Sequence, residues 1–232
     1  MICIAVPSRG RPQFLRQLVS SALSTATVPS NVVIRYYLND DDPELQNYVD
    51  TLKHLGQAHG NSVQWKIGPD QNTVLSWEQI CDSFDADYYM LAGDEVTFET
   101  PGWDKKFDET KQKYPDGIFC MSMYCGRGQS RLNENVTPVV TKQWRQALGY
   151  FWGPMFWHWN VDQWSGDLAK AIDRFEYRSD ITVRIKKIKK DPTGLRNRSA
   201  GIFNRDEWTY KRCKEIYFPG DVEKLRRALK QS

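Results

Sequence analysis

Asp94 and Glu95 stand side by side just after an apolar run, Tyr88-Tyr89-Met90-Leu91, with Ala92 and Gly93 between. Adjacent carboxylates at a strand end can hold a hard divalent cation, Mg²⁺ or Mn²⁺, and bridge it to phosphate oxygens. Asp40, Asp41 and Asp42 close a second run, Val32-Val33-Ile34-Arg35-Tyr36-Tyr37-Leu38. One of the three is expected to cap the helix that begins after Pro43. Three exceed what a cap needs, and a further carboxylate can accept from a nucleobase N–H or a ribose hydroxyl. Arg9 and Arg11 flank Gly10 after the first run, Ile2 to Pro7, and arginine suits two-pronged contact with phosphate. Asn72 ends the polar stretch Gly68-Pro69-Asp70-Gln71-Asn72, which follows a third run, Val63 to Ile67.

Positioning these groups takes four strands with helices between them. Phe14, Leu15, Leu18, Val19 and Leu23 have helical spacing, with Pro12 where a first turn accepts it. Leu45, Val49, Leu52 and Leu55 form a second helical face, and a third helix is expected from about Val74 to Phe84. Strands alternating with helices predict an α/β fold, a mostly parallel central sheet flanked by helices. Such sheets bind ligands outside the carboxyl ends of their strands, where all four polar stretches fall. Beyond residue 100 the pattern predicts a charged helix from Trp103 to about Tyr114 and a strand at Ile118–Met123. A polar loop follows at Gly126–Asn135, then a short strand at Val136–Val140. A helix is expected from Val161 to Phe175 and a strand from Ile181 to Ile188.

The chain has 232 residues, 40% hydrophobic and 26% charged, which excludes disordered, collagen-like and integral membrane classes. No stretch approaches the roughly 18 uninterrupted apolar residues of a spanning helix. The N-terminus lacks the basic start and long apolar run of a signal peptide, so a cytoplasmic protein is expected. Five cysteines without a CxxC pair, and only three histidines, argue against zinc and for reduced core thiols. The first 182 residues carry an acidic excess of six and the last fifty a basic excess of nine, giving the net +3. The basic segment is expected either to meet an anion or to be solvated surface. Trp144, Trp152, Trp157, Trp159 and Trp164 cluster with Tyr150, Phe151 and Phe156. Core packing accounts for about half of them, and the rest could stack on a sugar ring or an unpaired base.

The order and spacing of Val6-Pro7-Ser8-Arg9-Gly10-Arg11-Pro12, the acidic end of the second strand, Tyr88 to Val96 and Thr100-Pro101-Gly102-Trp103-Asp104 resemble family-2-type glycosyltransferases of the GT-A fold. The likeness is closest to small members encoded by bacteriophages. It covers residues 2–108 and returns more loosely at Asp162 to Arg178 and Asp191-Pro192-Thr193. The resemblance implies a single GT-A (Rossmann-like) domain. Residues 1–108 would be its nucleotide-sugar half, 109–200 its acceptor and catalytic half, and 201–232 a basic C-terminal segment.

The same resemblance implies a nucleotide-sugar donor touching Pro7, Ser8, Arg9 and Asp40. Arg11, Asp42, Asn72 and Gly93 are further candidates for the donor site. Asp94 and Glu95 stand where the family's metal-binding DxD motif lies, but Gly93 replaces its first carboxylate. Asp162 matches the family's acidic general base, which takes a proton from the acceptor hydroxyl. Asp167 and Asp180 are alternatives. Related sequences often carry a histidine after this helix, where this chain has Arg184-Ile185-Lys186-Lys187-Ile188-Lys189-Lys190. Strand alternation would put Lys187 and Lys189 on one face, either toward the leaving diphosphate or as a protected sheet edge. With lysine in that role, the requirement for metal weakens.

The expected reaction is sugar transfer with inversion to an acceptor hydroxyl. The acceptor could be a hydroxylated base in phage DNA, which would be flipped out or single-stranded, or a saccharide. A nucleotidyltransferase and a non-catalytic nucleic-acid-binding protein are the rivals from other classes. No membrane partner is expected, and the sequence leaves the oligomeric state open.

Overall fold

A computed structural model describes residues 1–126, 135–186 and 192–231. The strands are β1 (Ile2–Ser8), β2 (Val32–Asn39), β3 (Val63–Gly68), β4 (Tyr88–Leu91), β5 (Val96–Phe98), β6 (Cys120–Tyr124), β7 (Val139–Thr141) and β8 (Phe175–Ile185). The helices are α1 (Leu15–Thr25), α2 (Leu45–His59), α3 (Thr73–Asp82), α4 (Trp103–Lys113), α5 (Lys142–Leu148), α6 (Val161–Ala171), α7 (Pro192–Ser199), α8 (Ile202–Ile216) and α9 (Phe218–Gln231).

Among the described residues the strands form one sheet in the order β3-β2-β1-β4-β7-β6-β8-β5. β1 pairs in parallel with β2 and β4, β2 with β3, and β6 with β8. β7 runs antiparallel between β4 and β6, and β5 runs antiparallel to β8. The expected mostly parallel sheet is present, with its antiparallel pairs confined to β5 and β7.

Strand alternation explains the layers. Ile2, Ile4 and Val6 face one core, beside Leu15, Leu18 and Val19 of α1 and Leu52 and Leu55 of α2. Cys3 and Ala5 face the other, beside Trp77 and Ile80 of α3. In β4, Tyr88 and Met90 take the first side and Tyr89 and Leu91 the second. Burial on both faces is why these strands read as continuous apolar runs. The five cysteines are free and buried, as the sequence led us to expect.

The second half departs from the sequence pattern. α6 stops at Ala171, and Phe175, expected to be helical, opens β8 six residues before the expected Ile181. Leu168, Ile172 and Phe175 keep helical spacing, but Asp173 turns the chain at φ 56°. Phe175 to Arg178 then pair with Cys120 to Met123, and the register shifts before Tyr124 meets Thr182. On α2 it is Tyr48, not Val49, that is fully buried. Lys187, Lys189 and most of the Gly126–Asn135 loop lie outside the described residues. The basic C-terminal stretch forms helices α8 and α9, and Cys213, Val222 and Leu225 pack into the second core. No described helix is long and apolar enough to cross a membrane.

Candidate active site

β1 delivers Pro7 and Ser8 to the carboxyl edge of the sheet, and the chain then turns at Gly10, φ 69°. Asp42 fixes that turn. Its Oδ2 accepts from Gly10 N at 2.8 Å and its Oδ1 from Glu44 N at 2.9 Å. Asp42, one of the donor-site candidates, is 5% exposed and ties the loops after β1 and β2 together. The Tyr48 hydroxyl accepts from Arg11 N and lies 2.7 Å from Ser8 Oγ.

This frame turns Arg11 inward. Its Nη2 lies 3.0 Å from Asp94 Oδ1 and 3.9 Å from Glu95 Oε2. Ser8 Oγ donates to the other Asp94 oxygen. Burial raises the Asp94 carboxyl above the usual range; Arg11 opposes this and Glu95 adds to it. Arg11 is close enough for an ion pair, yet among the described residues Asp94 Oδ1 and Glu95 Oε2 are buried and accept no aligned hydrogen bond. Two such oxygens suit a hard divalent cation whose remaining positions go to phosphate and water. Among the described residues no third His, Cys, Asp or Glu completes a protein cage. Gly93 makes room for this arrangement, since a Cβ there would come within 2.8 Å of Glu95 Cδ.

Arg9 forms a two-pronged pair with Asp41 rather than projecting freely, and lies 4.0 Å from Asp70. Asp70 also accepts from Asn39 Nδ2 at 2.5 Å and pairs with Arg196 of α7 at 3.1 Å. Asp40 is exposed and does not line the cleft; its backbone N–H bonds Gly68 O at 2.8 Å. Asn39 and Asp70 occupy that part of the wall instead. Asn72 caps α3 through Leu75 N at 2.8 Å and borders an adjoining groove.

These loops surround one cleft of about 290 Å³. Pro7, Ser8, Arg9, Arg11, Gly93 and Glu95 line it, and so does Asp162. Asp162 sits in the first turn of α6, where Oδ1 accepts from Gln163 N at 2.8 Å. The alternatives to it are engaged elsewhere. Asp167 takes the Tyr210 hydroxyl and Lys214 Nζ, and Asp180 pairs with Arg178 and Lys106. Neither lines the cleft.

The aromatic cluster divides. Trp144, Trp152 and Trp164 are fully buried in the core. Trp159 lines the cleft and Trp157 lines the adjoining groove. The loop carrying both is held by Asp206 of α8, a residue that sequence reasoning missed. Its fully buried carboxylate accepts from Trp157 N at 3.1 Å, His158 N at 2.8 Å and Trp159 N at 2.9 Å. Three successive N–H groups thus converge on one carboxylate, Trp157 N nearest Oδ1 and the other two on Oδ2, and each bond is charge-assisted. His158, also missed as a site residue, lies with Nδ1 2.8 Å from Thr73 Oγ1 on the cleft wall. Arg196 gave no sequence signal beyond its basic segment. Asp70 was legible from its place after the third strand.

No protein-family model and no curated protein sequence matches the chain. Solved structures do match in fold. The Staphylococcus aureus TarS fragment 1–349 aligns with a TM-score of 0.63 at 9% identity, covering 80% of this chain and 60% of that one. The same fragment with UDP-GlcNAc gives 0.60 at 10% identity, covering 81% and 59%. The mannosyltransferase PcManGT from Pyrobaculum calidifontis, in complex with GDP-Man and Mn²⁺, gives 0.66 at 8% identity, covering 99% and 74%. The chain thus spans about three fifths of the TarS fragment. Its fold resembles that of GT-A-type glycosyltransferases that bind nucleotide-sugar donors.

Proposed function

We propose that this protein transfers a sugar from a nucleotide-diphosphate sugar to an acceptor hydroxyl, with inversion at the anomeric carbon. The observation that carries this reading is the single cleft. It joins the loops after β1, β2 and β3 to Glu95 and Asp162, with Asp94 buried next to Glu95. Pro7, Arg9, Asn39 and Asp70 would hold the nucleoside, and Ser8 and Arg11 orient the carboxylate pair. Asp162 takes the acceptor proton while the acceptor oxygen forms its bond to the anomeric carbon. The bond from that carbon to the diphosphate breaks on the opposite side, and the diphosphate leaves with the electron pair. A divalent cation held by Asp94 and Glu95 would supply electrostatic stabilisation to the departing diphosphate. Lys187 and Lys189 remain candidates for the same task.

A second reading of the acceptor, a hydroxylated base in phage DNA, is favoured by the basic excess of the last fifty residues. It is also favoured by Trp208, 67% exposed on α8 near Lys211 and Arg212. The test of the reaction needs no acceptor. Hydrolysis of UDP- and GDP-sugars, assayed with and without Mn²⁺, should release nucleoside diphosphate slowly. If no nucleotide sugar is bound or hydrolysed, the donor assignment fails, and a non-catalytic binding protein or a nucleotidyltransferase takes its place.

A further inference from the structure

A second groove, of about 370 Å³, adjoins the cleft, within the ~300–1,000 Å³ of small-molecule sites. Asp70, Gln71, Thr73 and Arg196 line both, so the two cavities meet across the Arg196–Asp70 ion pair. The rest of the groove includes Asn72, Trp157, Asn197 and Ile202.

Asn197 of α7 is 4% exposed, borders the groove, and has no side-chain hydrogen bond among the described residues. Its amide brings two donors and a doubly accepting oxygen to the groove wall. A polar ligand would satisfy them. Asn72 accepts from Leu75 N through its oxygen, which leaves its NH₂ group for the same purpose.

Trp157 is 41% exposed, yet it is held firmly. The Arg205 guanidinium packs over its ring at 4.1 Å, and its N–H bonds Asp206. A fixed, exposed indole beside several amides is the chemistry that recognises a pyranose. The C–H groups of the sugar pack on the aromatic face, and its hydroxyls exchange hydrogen bonds with the amides. The charged side chains of the groove, Asp70 and Arg196, pair with each other. Little net charge remains there to attract a polyanion.

We propose that this groove is a subsite for a neutral saccharide acceptor, with Trp157 as its platform and Asn197 as a hydrogen-bonding partner. That the saccharide is an acceptor rests on the transfer reaction proposed above; that it binds does not. The cavity shared through Asp70 and Arg196 would let one sugar unit sit in the groove while the next presents its hydroxyl in the cleft.

The test uses the full chain labelled with fluorotryptophan, the Trp157 resonance being assigned from Trp157→Phe. Cellobiose, chitobiose, mannobiose and a short oligothymidylate are titrated separately to millimolar concentration, and nucleotide-sugar binding is measured in parallel. At least one disaccharide should move the Trp157 resonance, and oligothymidylate should not. Asn197→Ala and Trp157→Ala, each confirmed folded by its Tm, should each weaken that disaccharide by about tenfold or more. If no disaccharide moves the signal, if oligothymidylate alone does, or if both variants bind like the parent, the subsite is overturned. Nucleotide-sugar binding without a disaccharide response would sink the subsite and leave the donor reading standing. A disaccharide response without nucleotide-sugar binding would do the reverse.

Discussion

Asp162 enters the cleft from the first turn of α6, at the positive end of the helix dipole. A carboxylate at that point is within the cleft where a hydroxyl proton would be taken. Asp162→Asn keeps the shape and removes the basicity. Turnover should fall by about 10²–10⁴-fold, with donor affinity unchanged, as single-turnover rates and nucleotide titration will show. Gly93 acts through space rather than charge. A methyl group there meets the Glu95 carboxylate, the mobile end of a side chain, so Gly93→Ala should displace Glu95 at little cost in stability. The expected outcome is a nearly unchanged Tm without ligand and a smaller Mn²⁺-dependent shift with UDP. The carboxylate pair was legible in the sequence because adjacent acids after a strand need no tertiary knowledge. Arg11 was legible as a candidate but not in its place, since only the Tyr48 and Asp42 bonds turn it inward.

Between α5 and α6 the chain has no regular structure, so its backbone N–H groups need partners from elsewhere. Two buried carboxylates supply them. Glu78 of α3 accepts from Phe151 N and Trp152 N, and Asp206 of α8 accepts from residues 157–159. Both bonds span long stretches of sequence, which is why neither acid stood out by type or spacing. Burial pushes Glu78 from its ordinary 4.5 up to about 7; the backbone bonds of Trp152 and Phe151 oppose this, and Arg145 opposes it weakly against Asp82. The folded chain therefore holds this proton more tightly than the unfolded chain. The stabilisation is whole below pH 4.5 and is lost as pH rises through about 7, a change of about 2–4 kcal/mol. Glu78→Gln can keep both N–H bonds on its oxygen, and its Tm relative to the parent should rise across that window. For Asp206 the readout is kinetic. Asp206→Ala should raise KM for the acceptor with donor affinity unchanged, measured well below its Tm. Asp206→Asn, whose oxygen can still accept from His158 N and Trp159 N, should restore part of the loss. A purely stabilising acid would lower Tm in the alanine variant and leave the acceptor KM alone.

At the scale of the molecule, one sheet carries two cores, and the four polar loops meet on one edge because β1 to β4 all run parallel. That part was readable from the alternation of strands and helices in the first hundred residues. The second half was read less well, since β7 and β5 insert out of sequence order and only pairing with β4, β6 and β8 defines them. A ligand bridging loops from four strands should stabilise the whole fold. UDP or GDP at about 100 times Kd should contribute about 2.7 kcal/mol, a Tm rise of roughly 5–11 °C for a chain of this size. A flat thermal scan with every nucleoside diphosphate, with and without metal, would contradict the donor site.

The Asp206 clamp also sets a timetable for the newborn chain. The loops after β1 to β4 are complete once Glu95 has been made, whereas the 157–159 segment stays unfastened until residue 206 follows it, on the order of fifty residues later. At about 5–20 residues per second, translation leaves an interval of several seconds. During that interval the backbone N–H groups of residues 157–159 lack the carboxylate that holds them in the folded chain. On the transfer reaction proposed above, the loops that would hold the donor are made before the wall that would face it is fastened.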